Sequence, residues 1–288
     1  MTLVERTVEE VSRGRVFALL PDETQAQIRA LSPDEVRAAA ERAMARPMTG
    51  PTSQASRLLM NPSLAVQWLS VFEELELPRR LSVYEPCAGG SEPVLLALEI
   101  YSDGAGEYTT VNLNRILAGQ LRGKIGKLRS RVRIIEDNAT TGGDWLPERS
   151  VDVACFHHAV NDLLQTAVAE PRGMDTRAIE WWSNERQMIE WLAEEHRACQ
   201  LGERAQPALL AAVRYAVERV RPGGWLLFDH WTWDGHREQE WFPWQLFCDL
   251  IPLARRWIEE AGLPLRERPL PGLEPRWWMA LQAEAGES

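Results

Sequence analysis

Residues 84–93 read YEPCAGGSEP and follow the apolar run Leu81-Ser82-Val83. An apolar run that breaks into a glycine pair and resumes at a proline reads as a strand, a tight turn and the opening of a helix. A Gly-rich turn in that setting is the usual cradle of a nucleotide-like ligand. Gly89 and Gly90 suit it, because glycine tolerates positive φ and lets backbone approach a ligand closely. Cys87 and Ser91 instead place side chains in the same turn.

Downstream, short apolar runs alternate with helical stretches, which predicts an α/β domain with parallel strands. The expected strands are Leu81–Glu85, Tyr108–Leu113, Val132–Ile135, Val151–Phe156 and Trp225–Asp229. Pro93–Tyr101, Arg115–Lys127 and Pro207–Val220 read as crossover helices, the last stopping at Arg221-Pro222-Gly223-Gly224. A final helix spans Phe247–Ala261, and Leu263–Arg268 with Trp277–Ala283 form a closing antiparallel hairpin.

Residues 1–79 carry helix signals only and are read as a helical cap on the α/β domain of residues 80–288. Ser32-Pro33-Asp34-Glu35 and Asn61-Pro62 each have the form of a helix start. Residues 161–206 form a long, mostly helical insertion after the fourth strand. Its apolar residues Trp181, Trp182, Ile189, Trp191 and Leu192 pack within the fold or against a second subunit, with a homodimer or a partner subunit as the expectation. Glu185, Arg186, Glu190, Glu194 and Glu195 are read as its solvated face.

The 288 residues carry 32 Lys and Arg against 42 Asp and Glu, a net charge of −10. Such a balance disfavours a broad grip on nucleic acid phosphates and favours a small-molecule or protein partner. Cys87, Cys155, Cys199 and Cys248 are widely separated, so neither a zinc site nor a disulfide framework is expected. The charged first 15 residues do not read as a secretion signal and no apolar run reaches membrane-spanning length, so a cytoplasmic protein without a membrane partner is expected.

Taken in order, YEPCAGGSEP, TTVNLNRIL, IIEDNATTGGDWLPERSVDVACFHHAVNDLL and VRPGGWLLFD resemble the class I S-adenosylmethionine-dependent methyltransferases over roughly residues 80–283. The resemblance implies a Rossmann-like sheet with helices on both faces and S-adenosylmethionine at the carboxyl ends of its strands. Carried over residue by residue, Glu85 matches the acid opening the first motif, and Cys87, Gly89, Gly90 and Ser91 form the loop facing the methionine part. Asn112 falls where the family places a ribose-binding acid, and either Asp137 or Asn138 falls where it binds the adenine amino group.

Three departures stand out. Cys87 and Ser91 replace glycines, and Glu92 brings a negative charge towards the place of a cofactor or substrate carboxylate. Asn112 offers one acceptor where the family offers a carboxylate, a difference of about 1–3 kcal/mol if the bonds are buried. Cys87 has no evident activating partner and reads as a packed thiol.

The resemblance sets His157 and His158 beside adenine and substrate, to stack, to bond backbone or to act as a base. His158, Asp162 and His230 are the candidates for deprotonating or orienting a substrate, with helix capping a further role for Asp162. The chain has 13 tryptophans, and Trp231 and Trp233 are the ones expected to face a substrate, the others serving mainly in packing. The expected function is methyl transfer to an oxygen or nitrogen of a small molecule, in a biosynthetic role. The alternatives are a fold that no longer uses the donor, acting as a cyclase or elimination enzyme, or a partner-binding subunit.

Overall fold

The computed structural model describes residues 1–50 and 52–284. Seven strands, β1 (Ser82–Pro86), β2 (Glu107–Asn112), β3 (Arg131–Glu136), β4 (Val151–His157), β5 (Val220–Asp229), β6 (Leu265–Arg268) and β7 (Trp278–Ala283), form one sheet. Their order is β3-β2-β1-β4-β5-β7-β6. β1 to β5 run parallel, while β7 is antiparallel to both β5 and β6. The expected Rossmann-like sheet with its closing hairpin is therefore present. β4 is buried along its whole length, as VDVACFH requires when helices cover both faces.

One face carries α8 (Ala159–Ala169), α10 (Leu201–Arg219) and α12 (Leu250–Glu260), whose Leu164, Leu209, Val213 and Ile251 pack on Tyr84, Ala154, Phe156 and Phe228. The opposite face carries α1 (Leu3–Ser12), α2 (Arg15–Leu19), α3 (Asp22–Arg29), α4 (Pro33–Met44), α5 (Gln54–Glu74) and α6 (Pro93–Tyr101). Their Val11, Val36, Trp68, Phe72 and Leu95 share one core with Val83, Val153 and Cys155 of the sheet. The helices before residue 80 are thus one of the two packed layers, and no separate core marks a boundary there. α7 (Arg115–Arg122) follows β2, α9 (Trp181–Arg197) lies between α8 and α10, and α11 (Trp244–Cys248) precedes α12.

Several expected boundaries move. α5 starts at the cap Ser53 and runs through Pro62, so Asn61-Pro62 is helix interior. The proline removes one main-chain bond, but Leu59, Leu64, Trp68, Leu69 and Phe72 are completely or almost completely buried, which outweighs it. α10 likewise begins at Leu201 and contains Pro207. The segment Arg221–Gly224 continues β5, with a register shift opposite Val151 and Val153. Gly224 permits that bulge, since a Cβ there would lie 2.6 Å from the Asp152 carbonyl oxygen.

The apolar stripe of α9 is used inside the chain: Trp181, Met188, Ile189 and Leu192 are buried, and Trp191 packs under Arg172. Trp182 is left 61% exposed. Among the described residues, no helix is long and apolar enough to cross a membrane.

Candidate functional site

In the sheet order β1 and β4 are neighbours with β2 on one side and β5 on the other, so the crossovers diverge at their carboxyl ends. A crevice is expected at such a switch point, and a cavity of about 380 Å³ opens there. That volume lies within the usual range for small-molecule sites. Its walls come from the 87–91 loop, from His157, His158, Asn161 and Asp162 after β4, from Trp231 and Trp233 after β5, and from Trp181, Trp182, Glu185 and Ile189 of α9.

The loop is held by two left-handed residues, Cys87 (φ 60°) and Gly89 (φ 61°). Cys87 donates its amide to the Val111 carbonyl, which ties the turn to the end of β2. Burial pushes the Cys87 thiol well up, so it packs as a neutral side chain. The charge that Glu92 brings is met within the fold: its carboxylate lies 2.6 Å from Lys124 Nζ and accepts from Asn61 Nδ2. Lys124 also donates to the Gly90 carbonyl, so a pair of residues 32 apart in sequence clamps the loop.

The positions matched to the nucleoside are occupied with internal bonds. Asn112 is 2% exposed; its Oδ1 accepts from the Gly89 amide (2.9 Å) and its Nδ2 donates to the Gly89 carbonyl (3.0 Å). Asn114 donates to the carbonyls of Thr176 and Ile179, drawing residues 174–180 over the end of β2. Trp181 follows and packs on Leu117, and the space left beside Asn112 is about 30 Å³, room for small solvent molecules only. Asp137 accepts from Trp145 Nε1 and Asn138 folds its side chain onto Thr140, so neither reaches the cavity.

Beneath the cavity floor lies a buried acid and base cluster. His157 Nδ1 sits 2.8 Å from Asp229 Oδ1 and 3.1 Å from Trp68 Nε1. One ring nitrogen cannot donate to a carboxylate and accept from an indole at once. Burial opposes a charge on His157, but the Asp229 carboxylate and its hydrogen bond outweigh it and raise the imidazole pKa, assigning Nδ1–H to Asp229. Glu85 is 1% exposed and accepts from the Tyr108 hydroxyl through Oε2, and burial pushes its carboxyl up to about 8. It supports the loop from below and does not line the cavity.

His158 opens α8 in the left-handed region (φ 55°). Its ring stacks on His230 (4.5 Å) and on Trp231 (4.4 Å), and Trp231 meets Trp233 edge-on (5.0 Å). Burial and the neighbouring His157 charge lower His158 to about 3, and burial pushes His230 well down. Both rings are neutral at physiological pH. His230 is completely buried and does not reach the wall, so it is a packing element of the column and not a surface base. His158 reaches the wall as a weak base; Trp231 and Trp233 also face the cavity.

Asp162 and Glu185 complete the wall. Burial and then the Glu185 charge push Asp162 up to about 8, and burial raises Glu185. Glu185 had read as solvated, yet it stands four residues from both Trp181 and Ile189, on the buried stripe of α9. That spacing was the signal available for it. Met60, Gln120, Lys124, Trp241, Phe242 and Phe247 also reach the cavity, from elements that nothing local in the sequence brings together.

No family model matches this chain, and no curated protein matches it. Among solved structures it is similar to a SAM-dependent methyltransferase from Aquifex aeolicus, with a TM-score of 0.47, 13% identity, and 75% of this chain and 88% of that one covered. It is similar to the pyocyanin biosynthetic protein PhzM, with a TM-score of 0.48, 11% identity, and coverage of 97% and 72%. It is also similar to an O-methyltransferase family protein from Burkholderia thailandensis, with a TM-score of 0.42, 14% identity, and coverage of 95% and 73%. The feature that decides the architecture is the chain's own sheet order, with β7 inserted antiparallel between β5 and β6. The chain has a Rossmann-like α/β fold, a mostly parallel sheet closed by an antiparallel hairpin.

Proposed function

We propose that the protein is an S-adenosylmethionine-dependent methyltransferase acting on an oxygen or nitrogen of a small molecule. The observation that carries this reading is the cavity of about 380 Å³ between the 87–91 loop and the ends of β4 and β5, walled by aromatic rings and a few polar groups. At the loop end of the cleft Lys124 offsets the Glu92 charge, which removes a repulsion against a methionyl carboxylate there. When bound, the cofactor supplies an electrophilic methyl group. This chain's residues supply alignment, with Trp231 and Trp233 stacking a substrate and Asp162 and Glu185 positioned to hold a proton it releases.

The nucleoside end fits less well, because Asn112 is spent on Gly89 and Trp181 leaves about 30 Å³ beside it. That observation favours a second reading, in which the fold is kept and the methyl donor is not used. Isothermal titration calorimetry of the full chain with S-adenosylmethionine and S-adenosylhomocysteine separates the two. Micromolar binding is expected for the methyltransferase; no binding at millimolar ligand would overturn it.

A further inference from the structure

The charges around the cavity do not balance. Three cationic side chains reach its wall, and each has a carboxylate partner that does not itself line the cavity: Lys124 with Glu92 (2.6 Å), Arg186 with Glu190 (2.9 Å) and His157 with Asp229 (2.8 Å). The other two lining imidazoles, His158 and His236, are held neutral by burial. Asp162 accepts one bond, from Asn161 Nδ2, and neither Asp162 nor Glu185 meets a Lys, Arg or His within salt-bridge distance among the described residues. Two carboxyls in one desolvated cavity repel and take up protons unless a cation joins them.

The remaining wall suits such a cation. Trp182, Trp231, Trp233, Trp241 and Phe242 line the same space, and the Arg186 guanidinium already lies 4.9 Å from the centre of the Trp241 ring. Aromatic faces attract ammonium groups through their quadrupoles, and the attraction grows as water is excluded. With a neutral or anionic ligand the carboxyls can be relieved only by taking up protons, whereas a cation lets them stay ionised.

We propose that the substrate is an organic amine bound as its ammonium ion, with the nitrogen between Asp162 and Glu185 and its apolar part against the tryptophans of the β5 loop. As the acceptor of a methyl group this amine rests on the methyltransferase reading; its binding does not, because the residues that hold it belong to this chain alone. An ammonium must lose one N–H proton before its nitrogen has a lone pair to share. Asp162 or Glu185 takes that proton and becomes a neutral carboxylic acid, so charge and atoms are conserved at the nitrogen.

The test is calorimetry on the full chain with 2-phenylethylamine and with its neutral isostere 2-phenylethanol, in the absence of any methyl donor. The amine is expected to bind at least tenfold more tightly than the alcohol. Glu185→Gln and Asp162→Asn should each weaken the amine by about tenfold to a hundredfold while changing the alcohol little. Equal affinities for amine and alcohol in the unaltered protein would overturn the proposal without recourse to any variant. Repeating the amine titration with saturating S-adenosylmethionine locates the cation: undiminished amine affinity supports it, and loss of amine binding by competition would assign the carboxyls to the sulfonium and overturn it. A protein that binds the amine but no S-adenosylmethionine would retain this inference and lose the methyltransferase reading.

Discussion

Replacing Asn112 by Asp restores the family's ribose-binding acid in the sequence, and the structure predicts that it damages the fold instead. Asn112 Oδ1 accepts from the Gly89 amide at 2.9 Å, and a carboxylate oxygen keeps that bond. Nδ2 donates to the Gly89 carbonyl at 3.0 Å, where the aspartate would set oxygen against oxygen. One lost bond costs about 1 kcal/mol and the stranded buried acceptor about 1–2 more, for a total of about 2–3 kcal/mol. A protonated carboxyl recovers the donor, so the folded state holds its proton; at 1.36 kcal/mol per unit, the pKa rises by about two units from roughly 3.9. The folded pKa is then above the unfolded one, so the stability gap to the unaltered protein closes below about pH 4 and is complete above about pH 6. Urea denaturation followed by tryptophan fluorescence at pH 4.5 and pH 8 reads both gaps. No gap at pH 8 together with new S-adenosylmethionine binding would show that the side chain is free to meet a ribose, and a gap of the same size at both pH values would refute the protonation of the buried carboxyl.

Two buried ionisable groups give further tests. Glu85 is held near 8 by burial, so stability supported by its protonated form is complete below about pH 4.5 and declines as pH rises through 8. Glu85→Gln keeps an acceptor for Tyr108 and should remove this decline, gaining on the unaltered protein by on the order of 1 kcal/mol per pH unit between pH 5 and 8; parallel stability profiles would contradict it. For the His157 and Asp229 pair, the raised imidazole pKa means the charged pair contributes below about pH 6.5 and fades as pH rises through the folded value. Asp229→Asn should therefore cost about 3–5 kcal/mol near pH 6 and less at pH 9, measured by thermal or urea unfolding; a deficit that grows with pH would refute the pairing.

The strands were legible because they are short apolar runs bounded by turn residues, and each is a local property of the chain. The loop at 85–91 was legible for the same reason, as were the residues that end β4 and β5. Boundaries at Pro62, Pro207 and Arg221–Gly224 were not, because a proline or glycine pair signals a stop only where packing on both sides does not compensate it. The role of the first 79 residues depended on which sheet face lacked a cover, and only the assembled sheet shows that Trp68 and Phe72 fill it.

At the site, sequence alone determined that Cys87 and Ser91 crowd the loop, that Asn112 replaces an acid and that aromatic side chains crowd the segment after β5. It could not show that Asn112 closes on Gly89, that Lys124 balances Glu92, or that Glu185 turns inward beside Asp162. These are pairings across 23 to 32 residues or between separate helices. Hydrophobic periodicity carries no information about which distant polar groups meet. The net electrostatics of a buried cavity is a difference between charges paired and unpaired in three dimensions, so only the tertiary structure decides its sign.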